Sequence, residues 1–325
     1  MFSVIIPTRD RPSKFAVALD SVLAQRSAQF EVIVVNDGSG PEQAAAYREI
    51  EGLADSRVSL LSLPSRPRGH GPAFARNVGA EKAKNPYLAF LDDDDSWTDA
   101  GHLARAAQSI EISGSDTIDL LLSNQTPFAG DVALAEPVWI ERLTEIVSQD
   151  GVPNEPTGTI AVTLDQLLRC GGFCHLNTMI VRRTLYQSVG GMDETIRWEE
   201  DRDLYLRLLD RARQILYDPT IVARHNIPDP GAKSSASTTV EVLEKRLFQL
   251  SIMDKAALFA EHPSLRAYGR RHKGFTLKKI AEELAEAGRP RDAAWYAWQA
   301  LAASPTLKWA GYTAALACKG LAGPK

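Results

Sequence analysis

Tyr87-Leu-Ala-Phe-Leu91-Asp92-Asp-Asp-Asp95 runs from five apolar residues straight into four carboxylates. The apolar half has the length and character of a strand covered on both faces. The acidic half is costly, because like charges about 4 Å apart repel by about 4 kcal/mol at an effective dielectric near 20. A cation should compensate. Alternate residues of an extended segment share a face, so Asp92 and Asp94 converge on one hard cation, Mn²⁺ or Mg²⁺. Asp93 then points away and Asp95 caps the next turn. The competing reading is a solvated acidic loop or helix cap, but a position directly after a buried strand favours the metal. Such a cation would bridge the phosphates of a nucleotide and assist a leaving group.

Upstream of this stretch, short β-branched runs at 2–6, 31–35 and 58–63 alternate with helical patterns at 13–25, 42–52 and 72–84. The last helix opens on a proline suited to a first turn. This alternation predicts an α/β fold with a mostly parallel sheet flanked by helices. Downstream, a helix is expected over 99–112 and a buried strand over 118–123. The segment 127–158, with several prolines and glycines, has no sustained period and reads as an irregular insertion facing an acceptor. Thr163 and Gln166 form a capping-box signal for a short helix. A strand over 175–181, a helix over 199–209 and short strands at 215–217 and 221–223 follow. The Pro, Gly and Ser of 226–237 mark a loop, and strand signals then end. The expected domains are therefore 1–237 and a C-terminal all-α region, 238–325, of four or five helices punctuated at Pro263, Gly274, Gly288 and Pro305.

Bulk properties narrow the function. The chain has 325 residues, 37 basic and 41 acidic, for a net charge of -4. That balance supplies no general footprint for a phosphate polymer, so nucleic acid is not an expected partner. Three cysteines, Cys170, Cys174 and Cys318, argue against a disulfide framework and fit a reducing cytoplasm; as a metal pair Cys170 and Cys174 are weak. Neither a signal-peptide core nor a membrane-spanning run is visible. Trp295, Trp298, Trp309 and Tyr312 leave room for peripheral membrane contact through the C-terminal helices, although buried packing explains such spacing more simply. Oligomeric state is not readable.

In open α/β sheets ligands bind outside the carboxyl ends of the strands. Pro7, Thr8, Arg9 and Asp10 after the first strand, Asp37 after the second, and Asp92 after the fourth therefore face one cleft, and Asp93 beside Asp92 is counted with them as a candidate donor contact. Asp37 can accept from base or ribose donors, against the alternative that Asn36-Asp37-Gly38 is only a turn. Gly69-His-Gly71 lacks the third glycine of a dinucleotide fingerprint, which Phe74 replaces, so nicotinamide binding is rejected. Arg76 could reach a base or diphosphate from the following helix. Within Trp198-Glu199-Glu200-Asp201, carboxylates at a helix start suit the helix dipole, and one of them can also act as a general base. Asp201 is the first choice and Glu200 the second. His225, after the last strand, is an equally balanced choice between a structural role and a ligand to metal or phosphate.

The order of motifs resembles the inverting family 2 glycosyltransferases of GT-A fold, over about residues 1–225. The resemblance is carried by Val4-Ile-Ile-Pro-Thr8-Arg-Asp10, Val32-Ile-Val-Val-Asn-Asp37-Gly-Ser39, Ala75-Arg76-Asn77-Val-Gly79, Phe90-Leu-Asp92-Asp-Asp94-Asp95, Val189-Gly-Gly-Met-Asp193-Glu194 and Glu200-Asp201. It implies that Thr8, Asp37 and Arg76 contact the nucleotide, that Asp92 and Asp94 form the DxD metal site joined by His225, and that Asp201 is the base. Met192 stands where phenylalanine is common. The QxxRW motif of processive synthases is absent, since Leu206-Arg207-Leu-Leu lacks its glutamine and tryptophan, which implies one sugar per event. The expected donor is a nucleotide-diphosphate sugar and the acceptor a saccharide or lipid-linked hydroxyl, in surface polysaccharide or glycolipid assembly. The alternatives are a nucleotidyltransferase making sugar nucleotides, which should carry a basic triphosphate loop that 7–12 does not resemble, and a non-catalytic scaffold, against which Asp92, Asp94 and Asp201 all speak.

Overall fold

A computed structural model describes the chain except residues 27–28, 114–116, 136–137, 151–152, 155–156, 229–230, 232–235 and 323–325. It forms two compact units, Met1–Asp229 and Pro230–Lys325. Parts of the loop expected at 226–237 and of the insertion at 127–158 lie outside the described residues.

The first unit alternates as the hydrophobic runs require: β1 (Phe2–Thr8), α1 (Pro12–Leu23), β2 (Phe30–Asn36), α2 (Pro41–Arg48), β3 (Val58–Ser62), α3 (Pro72–Lys82) and β4 (Tyr87–Phe90). Strands β3, β2, β1 and β4 lie side by side in parallel. Every residue of β1 and β4 is buried, which is why these runs show no alternation. Gly79 of α3 lets that helix approach β1, since a Cβ there would stand 2.5 Å from a methyl of Ile5. Prolines start α1, α2 and α3, where a missing N–H costs nothing.

The second half of this unit departs from simple alternation. After β5 (Ser96–Trp97) and α4 (His102–Ser113) come β6 (Leu120–Ala129), β7 (Val132–Ala133), α5 (Leu143–Asp150), β8 (Pro153–Asn154), β9 (Thr159–Val162), α6 (Leu164–Cys170), β10 (Met179–Arg182), α7 (Arg183–Ser188), α8 (Glu200–Arg211) and β11 (Ile215–Asn226). β10 enters between β4 and β6 antiparallel to both, so the sheet is mixed. The insertion is not wholly irregular, because α5 buries Leu143 and Val147. The strand expected at 175–181 starts late: His175 caps a 3₁₀ turn, Leu176–Thr178, its side chain accepting from the Asn177 N–H. The two strands expected after 215 are one, bulged around Pro219, which has no N–H for the ladder. The capping box of Thr163 and Gln166 is present, and Gly171 closes α6 in a left-handed turn.

Two buried polar groups in this unit make its stability testable. Asp119, 2% exposed, sits between Arg182 and Arg213, whose nitrogens lie 3.0 Å from its oxygens. His102, 1% exposed, meets the Trp97 ring edge-on and has no hydrogen-bond partner at either ring nitrogen among the described residues. Burial brings its pKa down from 6.5 to about 4. As pH falls through 6.5 the unfolded chain binds a proton that the native chain refuses, so stability drops until about pH 4, by up to about 3 kcal/mol. His102→Leu should flatten urea-derived stability between those pH values, and an unchanged slope would clear His102 of the effect.

The second unit is helical: α9 (Ala236–Thr239), α10 (Val242–Phe259), α11 (Pro263–Glu286), α12 (Pro290–Ala303) and α13 (Leu307–Ala322). α11 runs unbroken through Gly274, where a break was expected. A Cβ there would lie 2.9 Å from that of Ser304, so this glycine serves helix packing and not punctuation. Trp309 is buried in the core of this unit with Leu277, Ile280 and Leu316, and is withdrawn from any membrane face.

Candidate active site

The ends of β1, β2 and β4, the start of α8 and the end of β11 bring the sequence-predicted residues into one cluster. The acidic run divides by exposure. The side chains of Asp92 and Asp94 are 22% and 16% exposed, whereas those of Asp93 and Asp95 are 2% and 0%. The alternation of an extended chain thus sends one pair toward the cleft and the other into the protein.

Each inward carboxylate has a task that the sequence did not disclose. Asp93 accepts from Thr8 Oγ1 at 2.7 Å and pairs with Arg11 at 2.9 Å. Burial outweighs Arg11 and pushes its pKa up to about 7. The functional atoms of Asp93 and Thr8, both expected beside a donor, engage each other and Tyr47 Oη, 2.6 Å from Thr8. Asp95 was expected only to cap. It accepts from Asn177 Nδ2 and the Asn226 N–H, both at 2.6 Å, and stands 2.8 Å from His225 Nδ1. A carboxylate on Nδ1 holds that proton there, leaving the lone pair of Nε2 for a ligand. Asp95 therefore orients His225.

Arg76, 5% exposed, donates to both Asp92 and Glu200, the latter at 3.0 Å. It is the cation that offsets two acidic elements, and it holds that role alongside any contact to a nucleotide. Burial would raise the Asp92 pKa, yet Arg76 and His175 bring it down to about 2. Asp94 pairs with Arg11 at 2.7 Å, with Lys14 3.9 Å away. Asn77, beside Arg76, staples the turn at 190–194: its amide donates to Met192 O and Glu194, and its oxygen accepts from the Met192 N–H. Gly191 is left-handed, and a Cβ there would meet Asn77 Oδ1 at 2.7 Å. Arg76-Asn77 and Gly190-Gly191 are thus one construction split in sequence.

Asp37 receives the His70 and Gly71 N–H groups and the His70 ring, all at 2.8–2.9 Å. It fixes the loop into α3 and keeps this anchoring role alongside any contact to a ligand. Arg9 donates to the carbonyls of Arg66 and Pro67 in that loop. Asp10 lies in the left-handed region, φ 55°, held by Ser39 and Gly40. Pro7 is buried within β1.

Asp201 lies in the first turn of α8, after Glu199 at φ 57°. A left-handed glutamate is strained, and such strain gathers at functional sites. Burial, then Glu200, pushes the Asp201 pKa up to about 8. Between Asp201 and Asp92 stands His175, which by sequence is only the start of a strand. Its Nε2 lies 3.8 Å from Asp201 and 3.9 Å from Asp92, and its Nδ1 accepts from Asn177, so the proton sits on Nε2 and faces both carboxylates. Burial lowers its pKa to about 4. Trp139 packs edge-on to His175 and His225 at 5.7 and 5.0 Å, carrying the insertion into the site. Gly172 permits this, since a Cβ there would fall 1.8 Å from Trp139 O. No local signal marks His175 or Trp139, because both act through neighbours distant in sequence.

A divalent cation fits this chemistry. Asp95, His175 and His225 offer ligand atoms within 4.8 Å of one another, with Asp92 beside them. Asp95 already spends its oxygens on three donors and so orients His225, while Asp92 and Asp94 each have one oxygen paired with an arginine. Mixed imidazole and carboxylate donors suit Mn²⁺ better than Mg²⁺.

Fold and site define a GT-A-type α/β domain, with acidic strand ends and a helix-borne carboxylate. Residues 3–121 match the family model described as glycosyl transferase family 2. The chain is 30% identical over 190 residues to the succinoglycan biosynthesis protein ExoW of Rhizobium meliloti, covering 58% of this chain and 56% of that protein. It is 25% identical over 211 residues to the amylovoran biosynthesis glycosyltransferase AmsB of Erwinia amylovora, covering 63% of each. The matches thus span less than two thirds of these relatives. Among solved structures, S. aureus TarS in complex with UDP-GlcNAc superposes with a TM-score of 0.67 at 18% identity, over 94% of this chain and 81% of that one. The mannosyltransferase PcManGT from Pyrobaculum calidifontis, in complex with GDP-Man and Mn²⁺, gives 0.58 at 17% identity, over 98% and 86%. These likenesses carry the fold.

Proposed function

We propose that the protein is a metal-dependent inverting glycosyltransferase that moves one sugar per event from a nucleotide-diphosphate sugar to a hydroxyl of a saccharide or lipid-linked acceptor, in bacterial surface polysaccharide or glycolipid assembly. The observation that carries this reading is the meeting of Asp201 with Asp92 across His175, each within 4 Å of the imidazole. That meeting supports a base standing beside the carboxylates that would receive a donor. Names of the relatives, succinoglycan and amylovoran biosynthesis, support the acceptor class.

Asp92, Asp94 and His225 would hold the cation, with Asp95 aiming His225. When bound, a divalent cation neutralises charge building on the departing diphosphate. The protein's own part is positional and protolytic. Arg9, Asp10 and Asp37 stand at the strand ends for the nucleotide, and Arg76 keeps Asp92 ionised and aligned. Asp201 takes the acceptor hydroxyl proton as that oxygen attacks the anomeric carbon, with Glu200 the second choice for this role. A pKa of about 8 lies close to working pH, where a general base is most effective. Transfer should thus rise with pH as Asp201 loses its proton. Glu200 is tied to Arg76, which favours Asp201. Inversion follows if water-free attack occurs opposite the diphosphate in one displacement.

Incubation with nucleotide-diphosphate sugars and Mn²⁺ tests the reading. Slow release of nucleoside diphosphate, abolished by chelator, is expected. Consumption of nucleoside triphosphate with sugar phosphate would indicate a nucleotidyltransferase, and no turnover with any donor a scaffold.

A further inference from the structure

The helical unit carries charge of the opposite sign to the rest of the chain. Residues 230–325 contain 15 Lys and Arg against 8 Asp and Glu, a net +7, so the remaining residues carry -11 within a total of -4. Its last two helices also show large apolar side chains to solvent. Trp295 and Trp298 on α12 are 64% and 61% exposed, and Leu307 and Leu321 on α13 are 94% and 86% exposed. Between those leucines the exposed positions of α13 are Gly311, Ala314, Ala315, Ala317 and Cys318, together with Lys308 and Lys319. From Arg289 to Ala322 the sole acidic residue is Asp292, which is paired with Arg289.

Soluble surfaces rarely cluster exposed tryptophan and leucine on adjacent helices without a partner. We propose that the α12–α13 hairpin is a docking surface for an anionic lipid bilayer. Trp295 and Trp298 would enter the headgroup boundary, where an indole keeps its ring in an apolar layer and its N–H in a wet one. Lys308, Lys319 and Arg291 would meet the lipid phosphates. Charge decides between occupants: a second copy of this unit would bring +7 against +7, whereas an anionic leaflet attracts that charge. The contact is superficial, because no described helix is long and apolar enough to cross a membrane. The core of the unit is not engaged: Trp309 remains inside, its Nε1 donating to Ala297 O at 2.9 Å.

Co-sedimentation of the full chain with vesicles tests the proposal. Vesicles of phosphatidylcholine containing about one third phosphatidylglycerol should bind at least about tenfold more protein than phosphatidylcholine alone, and about 0.5 M salt should remove most of the difference. Trp295→Ser with Trp298→Ser should lower binding about tenfold, as should Lys308→Glu with Lys319→Glu, with helical circular dichroism unchanged in both. Nucleoside diphosphate release from donor without vesicles should be unaffected, which separates this surface from the active site. Absence of binding to either vesicle would overturn the proposal. So would wild-type binding in both double variants, or a concentration-dependent dimer, dispersed by the tryptophan changes, that ignores vesicles.

Discussion

Asp201→Asn is expected to lower sugar transfer by about 10²- to 10⁴-fold while leaving nucleotide-sugar affinity close to wild type. The substitution keeps the size of the side chain and removes its ability to hold a proton taken from the acceptor. Among the described residues Asp201 hydrogen-bonds neither Arg76 nor His225, so the donor side should survive. The measurement is paired: turnover with a saturating donor, and donor affinity by calorimetry with Mn²⁺. Glu200→Gln should behave differently, since Glu200 shares Arg76 with Asp92 at 3.0 Å. Its loss should unsettle donor binding as well as turnover. Full activity in Asp201→Asn would remove this residue from the mechanism, and a matching collapse in Glu200→Gln with donor affinity intact would transfer the role to Glu200.

Asp95→Asn is the second large effect. The amide cannot accept the Nδ1 proton of His225 and also the Asn226 N–H as the carboxylate does. His225 is then free to turn or to change tautomer. Losing such an orienting carboxylate typically weakens metal binding about 10- to 100-fold. Mn²⁺ titration followed by electron paramagnetic resonance, without donor, should show that loss in Asp95→Asn and at least as large a loss in His225→Ala. Asp94→Ala should weaken both Mn²⁺ binding and Mn²⁺-dependent donor binding. If all three variants bound Mn²⁺ as wild type does, the acidic run would not be the metal site.

The run from Asp92 to Asp95 shows how far sequence reaches. Four adjacent carboxylates after a buried strand require compensation whatever the fold, and period-two geometry divides them into two pairs. Which pair faces the cleft, and what satisfies the other, depends on groups far along the chain. Thr8 and Arg11 take Asp93, while Asn177, His225 and Asn226 take Asp95. Arg76 was visible as a charge inside a helix, but its partnership with Glu200 spans 124 positions. Trp139 was hidden in a segment with no period, because its place is fixed by the absence of a side chain at Gly172 and not by local propensity.

The parallel half of the sheet was legible for a physical reason: β1, β2 and β4 are covered on both faces, so burial writes itself into unbroken apolar runs, and prolines mark where the helices begin. The antiparallel entry of β10, the joining of two short runs into β11 and the unbroken course of α11 through Gly274 were decided by contacts between elements. Sequence alone placed four adjacent carboxylates at the end of a buried strand and called for compensating positive charge, because electrostatic repulsion is a property of adjacent residues. Only the tertiary structure decided that His175 stands between Asp92 and Asp201 and that Asp95 holds His225, because contacts between residues so far apart in sequence are made by the fold and not by spacing along the chain.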